Sequence, residues 1–337
     1  MTEAVFHRLD LSKYSFLITG GAGFIGSNLV EYLVNHNAGH IRILDNLSTG
    51  LFKNIEEYLT LPNVEFILGD IRDAKVCQQA VKDMDFIAHQ AALGSVPRSI
   101  FDPITSNEVN VTGFLNMLVA AKESPSLKRM IYAASSSTYG DSPHFPKVEG
   151  KEGKPVSPYA VTKAVNEYYA HVFSKVYQFH SIGLRYFNVF GPKQNPDHPY
   201  AAVIPVFCKH FLEWKAPVIN GDGETSRDFT YVENAVQANI RALVYDLEDP
   251  SKILTAHQVF NVACGESVTL NQVVKGLQRI SGRHIEPFYR DERLGDIKHS
   301  LASIAKSAAI LDYYPLVKFL EGLERTYAYL DNHLPTS

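Results

Sequence analysis

Three features of the sequence predict an α/β fold, a doubly wound parallel sheet with a smaller α/β C-terminal lobe. Short apolar runs alternate with segments of helical period over the first ~190 residues, as expected for parallel strands covered on both faces by helices. A glycine cluster, Gly20 to Gly26, falls between the first apolar run and the first helical segment. After Gly191-Pro192 the texture changes: residues 188–201 are rich in Pro, Asn and Gly, 220–223 is a turn cluster, and shorter elements follow to about Leu330.

In chain order, residues 16–19 form the first strand-like run. Phe24–Asn35 has helical spacing, with Ile25, Leu29, Leu33 and Val34 on one side. Residues 41–44, closed by Asp45, and Val64–Leu68, closed by Gly69-Asp70, are the next strands. A helix over 73–82, a strand over 85–88, a helix over 109–121 and a strand over 129–134 follow, the last ending in Ser135-Ser136-Ser137. Pro158–Tyr177 is a long helix with proline at its start, where the missing N–H costs nothing. Residues 180–186 make a further strand. Residues 1–190 are thus expected to form the nucleotide-binding domain, with later segments returning to it, and 191–337 mainly a ligand-covering lobe. In such sheets ligands bind beyond the carboxyl ends of the strands, and the chemistry-bearing residues sit there.

Composition narrows the function. With 45% apolar and 20% charged residues the chain can bury a large core. Its 32 basic and 36 acidic residues leave a net charge of −4, which argues against a nucleic-acid partner. No run approaches the roughly 18 apolar residues of a membrane span. The first fifteen residues carry Glu3, His7, Arg8, Asp10 and Lys13 with no apolar core, so no signal peptide is expected. Cys77, Cys208 and Cys264 are too few and too scattered for a disulfide framework or thiolate zinc site. The thirteen histidines show neither H-x-H nor H-E-x-x-H, so no metal is expected, and His198 reads as a loop residue. The expectation is a soluble, cytoplasmic protein of a reducing compartment.

Thr19-Gly20-Gly21-Ala22-Gly23-Phe24-Ile25-Gly26 places glycines where a strand turns into a helix. The first glycines permit a tight turn and close approach of backbone N–H groups to a pyrophosphate; the last permits close helix packing. The helix N-terminus adds partial positive charge. This is the Rossmann-type reading of the sheet. Asp45, 19 residues beyond Gly26, matches the acid that hydrogen-bonds an adenosine ribose diol, and it would repel a 2′-phosphate. Asn46-Leu47 offers no arginine to offset that repulsion, so NAD is favoured over NADP. Without the glycine loop, Asp45 would read as a turn acid. Asp70, ending the third strand, is a candidate for the adenine edge, with a helix cap as the alternative.

Tyr159 and Lys163 stand four apart near a helix start and share one face. A tyrosine titrates near ~10, and lowering that to about 7 requires on the order of 4 kcal/mol, which two nearby cations in a dry site can supply. A bare Y-x-x-x-K has little specificity; Ser135, ending the preceding strand, supplies a third member able to hydrogen-bond a reacting oxygen.

Taken together, Gly20/Gly23/Gly26, Asp45, the serine triplet before Thr138-Tyr139-Gly140, Tyr159-x-x-x-Lys163 and Arg185-Tyr186-Phe187-Asn188 resemble the extended short-chain dehydrogenase/reductase family. Within it the chain looks like the nucleotide-sugar 4-epimerases. Its segments from His89 to Ser99 and from Asn220 to Asp228 are similar to the branch acting on UDP-N-acetylglucosamine. The resemblance implies a UDP-sugar substrate, tightly bound NAD and a homodimer built from two helices per subunit, here 109–121 and 159–177. It implies that Tyr159 is the base, Lys163 binds the nicotinamide ribose and depresses the tyrosine, and Ser135 orients the sugar 4-oxygen. Gly20, Gly23, Phe24, Ile25, Gly26, Asp45, Asn46, Asp70, Ile71, Gln90, Ala91, Ala92, Asn110 and Tyr186 become the cofactor candidates. Ser95, Ser136, Ser137, Asn188, Gln194, Val203 and Asn220 become substrate candidates. Arg227 and Arg293 match the family's pyrophosphate arginines, and Asp296 an acid near the uridine ribose. As isolated residues, Arg227 beside Asp228 and Arg293 near Asp296 would read as surface ion pairs.

The family's 4,6-dehydratases carry an Asp-Glu pair where this chain has Ser136 and Ser137, and serines cannot exchange protons as carboxylates do. A uronic-acid epimerase or decarboxylase, a UDP-glucose 4-epimerase, a dehydrogenase that releases NADH, and a non-catalytic NAD-sensing protein remain alternatives; the retained Tyr159, Lys163 and Ser135 speak against the last. By resemblance Ser300 borders the sugar pocket, where branches restricted to non-acetylated hexoses carry tyrosine. A serine leaves room for an acetamido group, with Gln194 and Ser95 as further contacts; a turn or helix cap is the alternative for Ser300.

Overall fold

The computed structural model describes residues 4–247, 249, 251–292 and 298–334. The first half runs β1 (Ser15–Thr19), α1 (Phe24–Asn35), β2 (His40–Asp45), β3 (Val64–Leu68), α2 (Ala74–Val81) and β4 (Phe86–His89). It continues with α3 (Val96–Phe101), α4 (Pro103–Asn107), α5 (Phe114–Glu123), β5 (Arg129–Ser135), α6 (Pro158–Tyr177) and β6 (Ser181–Tyr186). Then come β7 (Val189–Phe190), α7 (Val203–Leu212), β8 (Val218–Asn220), β9 (Ser226–Arg227), β10 (Thr230–Tyr231) and α8 (Val232–Val244). The last elements are β11 (Gln258–Val262), β12 (Val268–Thr269), α9 (Leu270–Ser281), β13 (Phe288–Arg290), α10 (Ala305–Leu311) and α11 (Phe319–His333).

Seven strands pair in the order β11-β6-β5-β4-β1-β2-β3, all parallel. The chain winds from β1 toward β3, then crosses to β4 and winds the other way, so the connections part between β1 and β4. That switch point opens the crevice where doubly wound sheets bind ligands. Strand residues alternate between the two faces. Phe16, Ile18, Phe86, Ala88 and Ile131 pack with Leu29, Leu33, Ala235 and Leu243 of α1 and α8. Leu17, Ile87, Met130 and Tyr132 pack with Val81, Phe114, Leu118 and Phe173 of α2, α5 and α6. A third apolar cluster, including Phe190, Phe207, Phe229 and Leu323, lies in the second lobe. Although α8 and β11 lie beyond residue 190, the helix joins the first core cluster and the strand adds to the sheet edge beside β6.

Local chemistry explains the elements. Asp73 caps α2, accepting from Lys75 N at 2.8 Å, and Ser157 caps α6 ahead of Pro158. The short α3 and α4, unanticipated above, start at Ser95 and Asp102 with proline in the first turn of each. The helix expected over 109–121 instead opens as a π-helical stretch, Glu108–Gly113, before α5. The wider turn carries Asn110, whose Oδ1 accepts from Leu93 N at 2.8 Å and whose Nδ2 donates to Thr162 Oγ1 at 3.1 Å. Such insertions concentrate at functional sites.

Two histidines lie against the sheet as neutral rings. His89 Nδ1 is 2.8 Å from Thr19 Oγ1, and His257 Nε2 is 2.7 Å from Tyr132 Oη. Burial pulls each from 6.5 to about 3, with Lys163 adding to the effect on His89 and His171, Lys306 and Arg185 to that on His257. Below pH 6.5 the unfolded chain therefore binds protons that the folded one refuses, and stability falls as pH drops from about 6.5 toward 3. Each ring contributes a slope of up to about 1.4 kcal/mol per pH unit. Buried Asp228, raised to about 6, works the other way, but two rings outweigh one carboxyl, so urea unfolding is expected to show a lower midpoint at pH 5 than at pH 7; a higher midpoint at pH 5 would contradict neutral burial.

Candidate active site

The cofactor end of the crevice is built by the turn after β1. Gly20 takes φ +66°, a left-handed conformation, and a Cβ there would lie 2.7 Å from Ala91 N. Gly20 N donates to Leu44 O at 2.7 Å, which presses the turn against β2. α1 begins at Phe24 with Gly23 as its cap; no side chain satisfies its first N–H groups, and its first turn holds no acid. Open amides in a crevice fit a pyrophosphate. Asp45 is nearly buried, its Oδ2 accepting from Ala22 N at 3.0 Å and its Oδ1 from Leu47 N at 2.8 Å. Burial raises its pKa, and these N–H donors work against the rise. Asn46 Nδ2 donates to Asp70 Oδ2 at 2.9 Å, while Arg72 holds the Asp70 carboxyl down at about 2.

From this turn a cleft of about 500 Å³ runs past Gly23, Phe24, Ile25 and Gly26 to Asp45, Asn46, Asp70 and Ile71. It continues along Gln90, Ala91 and Ala92 to Ser135, Ser136, Tyr159 and Lys163, and is closed by Tyr186, Asn188 and Gln194. The fold thus brings the glycine loop, Asp45 and the Ser/Tyr/Lys set to one cavity, although they span residues 20 to 163.

Ser135 is the last residue of β5; its Oγ accepts from Ser137 N at 3.2 Å and from Ser137 Oγ at 2.9 Å. Lys163 is 3% exposed, donates from Nζ to Ala133 O at 2.8 Å, and lies 6.0 Å from the Tyr159 ring centroid. Burial raises the Tyr159 phenol, against which the Ser135 hydroxyl acts, and burial pulls Lys163 down to about 8. Tyr186 Oη lies 3.0 Å from Gln90 Oε1 and 2.9 Å from Asn239 Oδ1. Asn239 comes from α8, and nothing in the sequence near the motifs announces it.

A second cavity of about 400 Å³ shares Asn188, Val189 and Ala202 with the first, so the two adjoin along these residues. Val203, Asn220 and Arg227 line it, with Phe207, Phe229 and Leu270, which motif reading missed. Asn188 sits at the junction with φ +36°, its Nδ2 donating to Asp228 O at 3.0 Å. Arg227 donates to Ser226 O at 2.9 Å. Asp228 is fully buried and accepts from the backbone N–H groups of Cys264, Gly265 and Ala302 at 2.9, 3.1 and 3.1 Å, a role unlike that of a surface ion-pair partner.

Four expected contacts stand behind the crevice surface. Asn110 is buried and lines neither cavity; it ties Leu93 to α6 and so shapes the rim. Ser95 lines neither and caps α3, accepting from Arg98 N at 3.2 Å; Ser137 supports Ser135 from behind. Ser300, half-buried, pairs its N–H with Ser226 O at 3.1 Å and also lines neither cavity. Arg293 and Asp296 lie outside the described residues. His198 is in a loop, its Nε2 2.8 Å from an Arg98 nitrogen. Among the described residues no helix is long and apolar enough to cross a membrane, and no cluster of His, Cys, Asp and Glu could hold a metal.

A crevice with a glycine turn at one end and a Ser/Tyr/Lys set further along has known counterparts. The profile of the NAD dependent epimerase/dehydratase family matches residues 16–263. The chain belongs to that family. A UDP-N-acetylglucosamine 4-epimerase from Methanobrevibacter ruminantium M1, solved with UDP-N-acetylmuramic acid, is 38% identical with a TM-score of 0.88, over 95% of this chain and 99% of that one. A UDP-glucose 4-epimerase from Thermotoga maritima, solved with UDP-glucose, is 32% identical with a TM-score of 0.87, over 95% and 100%. A UDP-glucuronic acid 4-epimerase from Bacillus cereus, solved with UDP-glucuronic acid and NAD, is 31% identical with a TM-score of 0.83, over 94% and 99%. As an NAD-dependent epimerase/dehydratase, this chain has residues that fit the cofactor: uncapped α1 amides for its phosphates and Asp45 for its ribose.

Proposed function

We propose that the protein is a UDP-hexose 4-epimerase that interconverts UDP-N-acetylglucosamine and UDP-N-acetylgalactosamine. The observation that carries this reading is the junction of the two cavities. Ser135, Tyr159 and Lys163 line the first, Arg227 and Asn220 line the second, and Asn188 and Ala202 line both. A nucleotide held in the second places its sugar before the hydroxyls of the first. NAD bound along Gly20–Gly26 and Asp45 would supply hydride acceptance and return at the sugar C4. Tyr159 takes the 4-hydroxyl proton and gives it back, Ser135 hydrogen-bonds the 4-oxygen, and the Lys163 ammonium favours the phenolate. Arg227, with Arg293, grips the diphosphate while the sugar turns over about that tether, so binding energy from the remote nucleotide retains the intermediate. Ser136 and Ser137 offer no carboxyl for dehydration.

The acetylated substrate is favoured by the 38% identical relative and by Ser300. Ser300 acts from behind the wall in this reading: its backbone pairs with Ser226, next to Arg227 of the second cavity, and a tyrosine there is expected to crowd that wall. Ser300→Tyr is expected to lower kcat/KM for UDP-N-acetylglucosamine by ten- to a hundredfold, the effect of about 1–3 kcal/mol of overpacking, while activity on UDP-glucose persists. The assay incubates protein with UDP-N-acetylglucosamine, UDP-glucose and UDP-glucuronate and resolves the 4-epimers. Unchanged kcat/KM for the acetylated sugar would remove Ser300 as the gate; turnover of the uronate alone would replace the substrate assignment.

We also infer a homodimer. Phe101 is 84%, Ile104 72% and Tyr168 70% exposed. With Val161 and Val172 of α6, they leave large apolar surface on α3, α4 and α6, which pack together. Light scattering should give twice the 37.6 kDa chain mass; a monomer at micromolar concentration would reject it.

A further inference from the structure

Tyr159, Lys163 and Glu167 recur every four residues along α6 and so stack on one face. One turn beyond Lys163, Glu167 takes two guanidinium bonds from Arg185 of β6, Nε to Oε1 at 2.9 Å and Nη2 to Oε2 at 2.6 Å. The remaining arm of Arg185 donates to Glu152, and its plane lies 4.7 Å over the Tyr139 ring. Arg185 and Lys163 are each 3% exposed. Two cations and one carboxylate are therefore sunk together behind the reacting tyrosine, while Glu152 pairs with Arg185 from the exposed surface. Burying such a set is costly, and an apolar packing of the same volume would serve stability at least as well.

We propose that Glu167, oriented by Arg185, is a positioning residue whose charge keeps the buried Lys163 an ammonium ion and so sets the pH range in which Tyr159 can act as a base. The inference rests on the reading of Tyr159 given above. Burial alone drives Lys163 toward neutrality, and the carboxylate that opposes this is Glu167. The other groups facing the set do not replace it. On β4, His89 faces Lys163 as a neutral ring, and on β5, Tyr132 faces Glu167 as a buried phenol. On the far side of Arg185 lie Glu152, Tyr139, His257, and Lys306 of α10 with Glu149 beside it. Arg185 has two duties: it fixes the carboxylate in place and limits how strongly that carboxylate raises Lys163.

The two partners should therefore shift the same titration in opposite directions. Glu167→Gln leaves Lys163 beside an uncompensated guanidinium, so the lysine deprotonates at lower pH and the tyrosine at higher pH. Arg185→Gln exposes Lys163 to the unshared carboxylate and moves both the other way. Two readouts separate this from a structural role: the pH profile of kcat, and the tyrosinate absorbance of each variant minus that of the same variant carrying Tyr159→Phe. For Glu167→Gln the alkaline limb is expected to fall by about one pH unit, a tenfold loss of kcat at alkaline pH with little change in KM. Glu167→Asp, which keeps the charge but withdraws it, should shift the limb less and in the same direction. It carries the test if Glu167→Gln does not fold. Unmoved profiles in folded variants, or shifts of the same sign for Glu167→Gln and Arg185→Gln, would overturn the inference. The tyrosinate titration requires no turnover, so opposite shifts in a protein that epimerises nothing would uphold the coupling and reject the epimerase reading instead.

Discussion

Tyr159→Phe is expected to lose epimerisation by a factor on the order of 10² to 10⁴ or more, while fold, NAD and UDP binding persist. Removing one hydroxyl leaves the ring in place, and the backbone Tyr159 N–H keeps its 3.0 Å bond to Ser99 Oγ, so α6 has no reason to move. What disappears is the phenol next to Ser135 and Lys163 that takes the 4-hydroxyl proton in this reading; the crevice's other phenol, Tyr186, is held by Gln90 and Asn239. General base catalysis by a positioned group is worth about 10² to 10⁴ in rate. The loss is expected at the upper end because burial already resists ionisation of this phenol, so Ser135, Lys163 and a bound cofactor must act together to achieve it. A near-normal kcat in the variant, with thermal stability and cofactor content unchanged, would rule out Tyr159 as the base.

Gly26→Ala is expected to abolish retention of NAD and to lower stability by about 1–3 kcal/mol. Gly26 lies in the first turn of α1 and is buried. A Cβ there would collide with the Gly20 carbonyl oxygen and lie 2.8 Å from Gly21 Cα, both backbone atoms of the turn that must receive the phosphates. Neither can yield without moving α1 off β1. Denaturing the purified proteins and quantifying the released nucleotide checks this. Wild type should release NAD and the variant little or none, with a lower melting temperature. Equal NAD content would show that the turn tolerates the methyl group, and NADP as the main species from wild type would remove the role given to Asp45.

Much of the site was legible because its residues announce themselves through neighbours in sequence. A glycine run between an apolar strand and an amphipathic helix is readable from about ten residues. So is Tyr159-x-x-x-Lys163 behind Ser157-Pro158. Asp45 was readable as a strand's last residue, and the structure adds that its carboxylate also braces the glycine turn through Ala22 N. Asn110 and Ser95 are legible as neighbours of the crevice, and in the fold they stand behind its surface. Spacing brought them near the crevice; hydrogen bonds to Leu93 and Arg98 turned them to hold the rim instead. The apolar wall of the second cavity, Phe207, Phe229 and Leu270, carried no signal, since aromatic and aliphatic residues at those spacings look like ordinary core.

By itself the sequence determined the alternating elements, the phosphate turn, and the pairing of Tyr159 with Lys163, because each depends on contacts within a few residues of chain and on a repeat of 2 or 3.6. Tertiary structure alone decided that α8 and β11 return to the sheet, that Asn239 reaches Tyr186, and that Arg185 of β6 meets Glu167 of α6 and Glu152. The three side-chain pairs are separated by 18 to 53 residues, and whether they meet is settled by how the two faces of the sheet fill with apolar side chains. Once that packing is complete, buried charge has no water left to turn to. It must find a partner across the fold, and the partner's place in the chain does not matter.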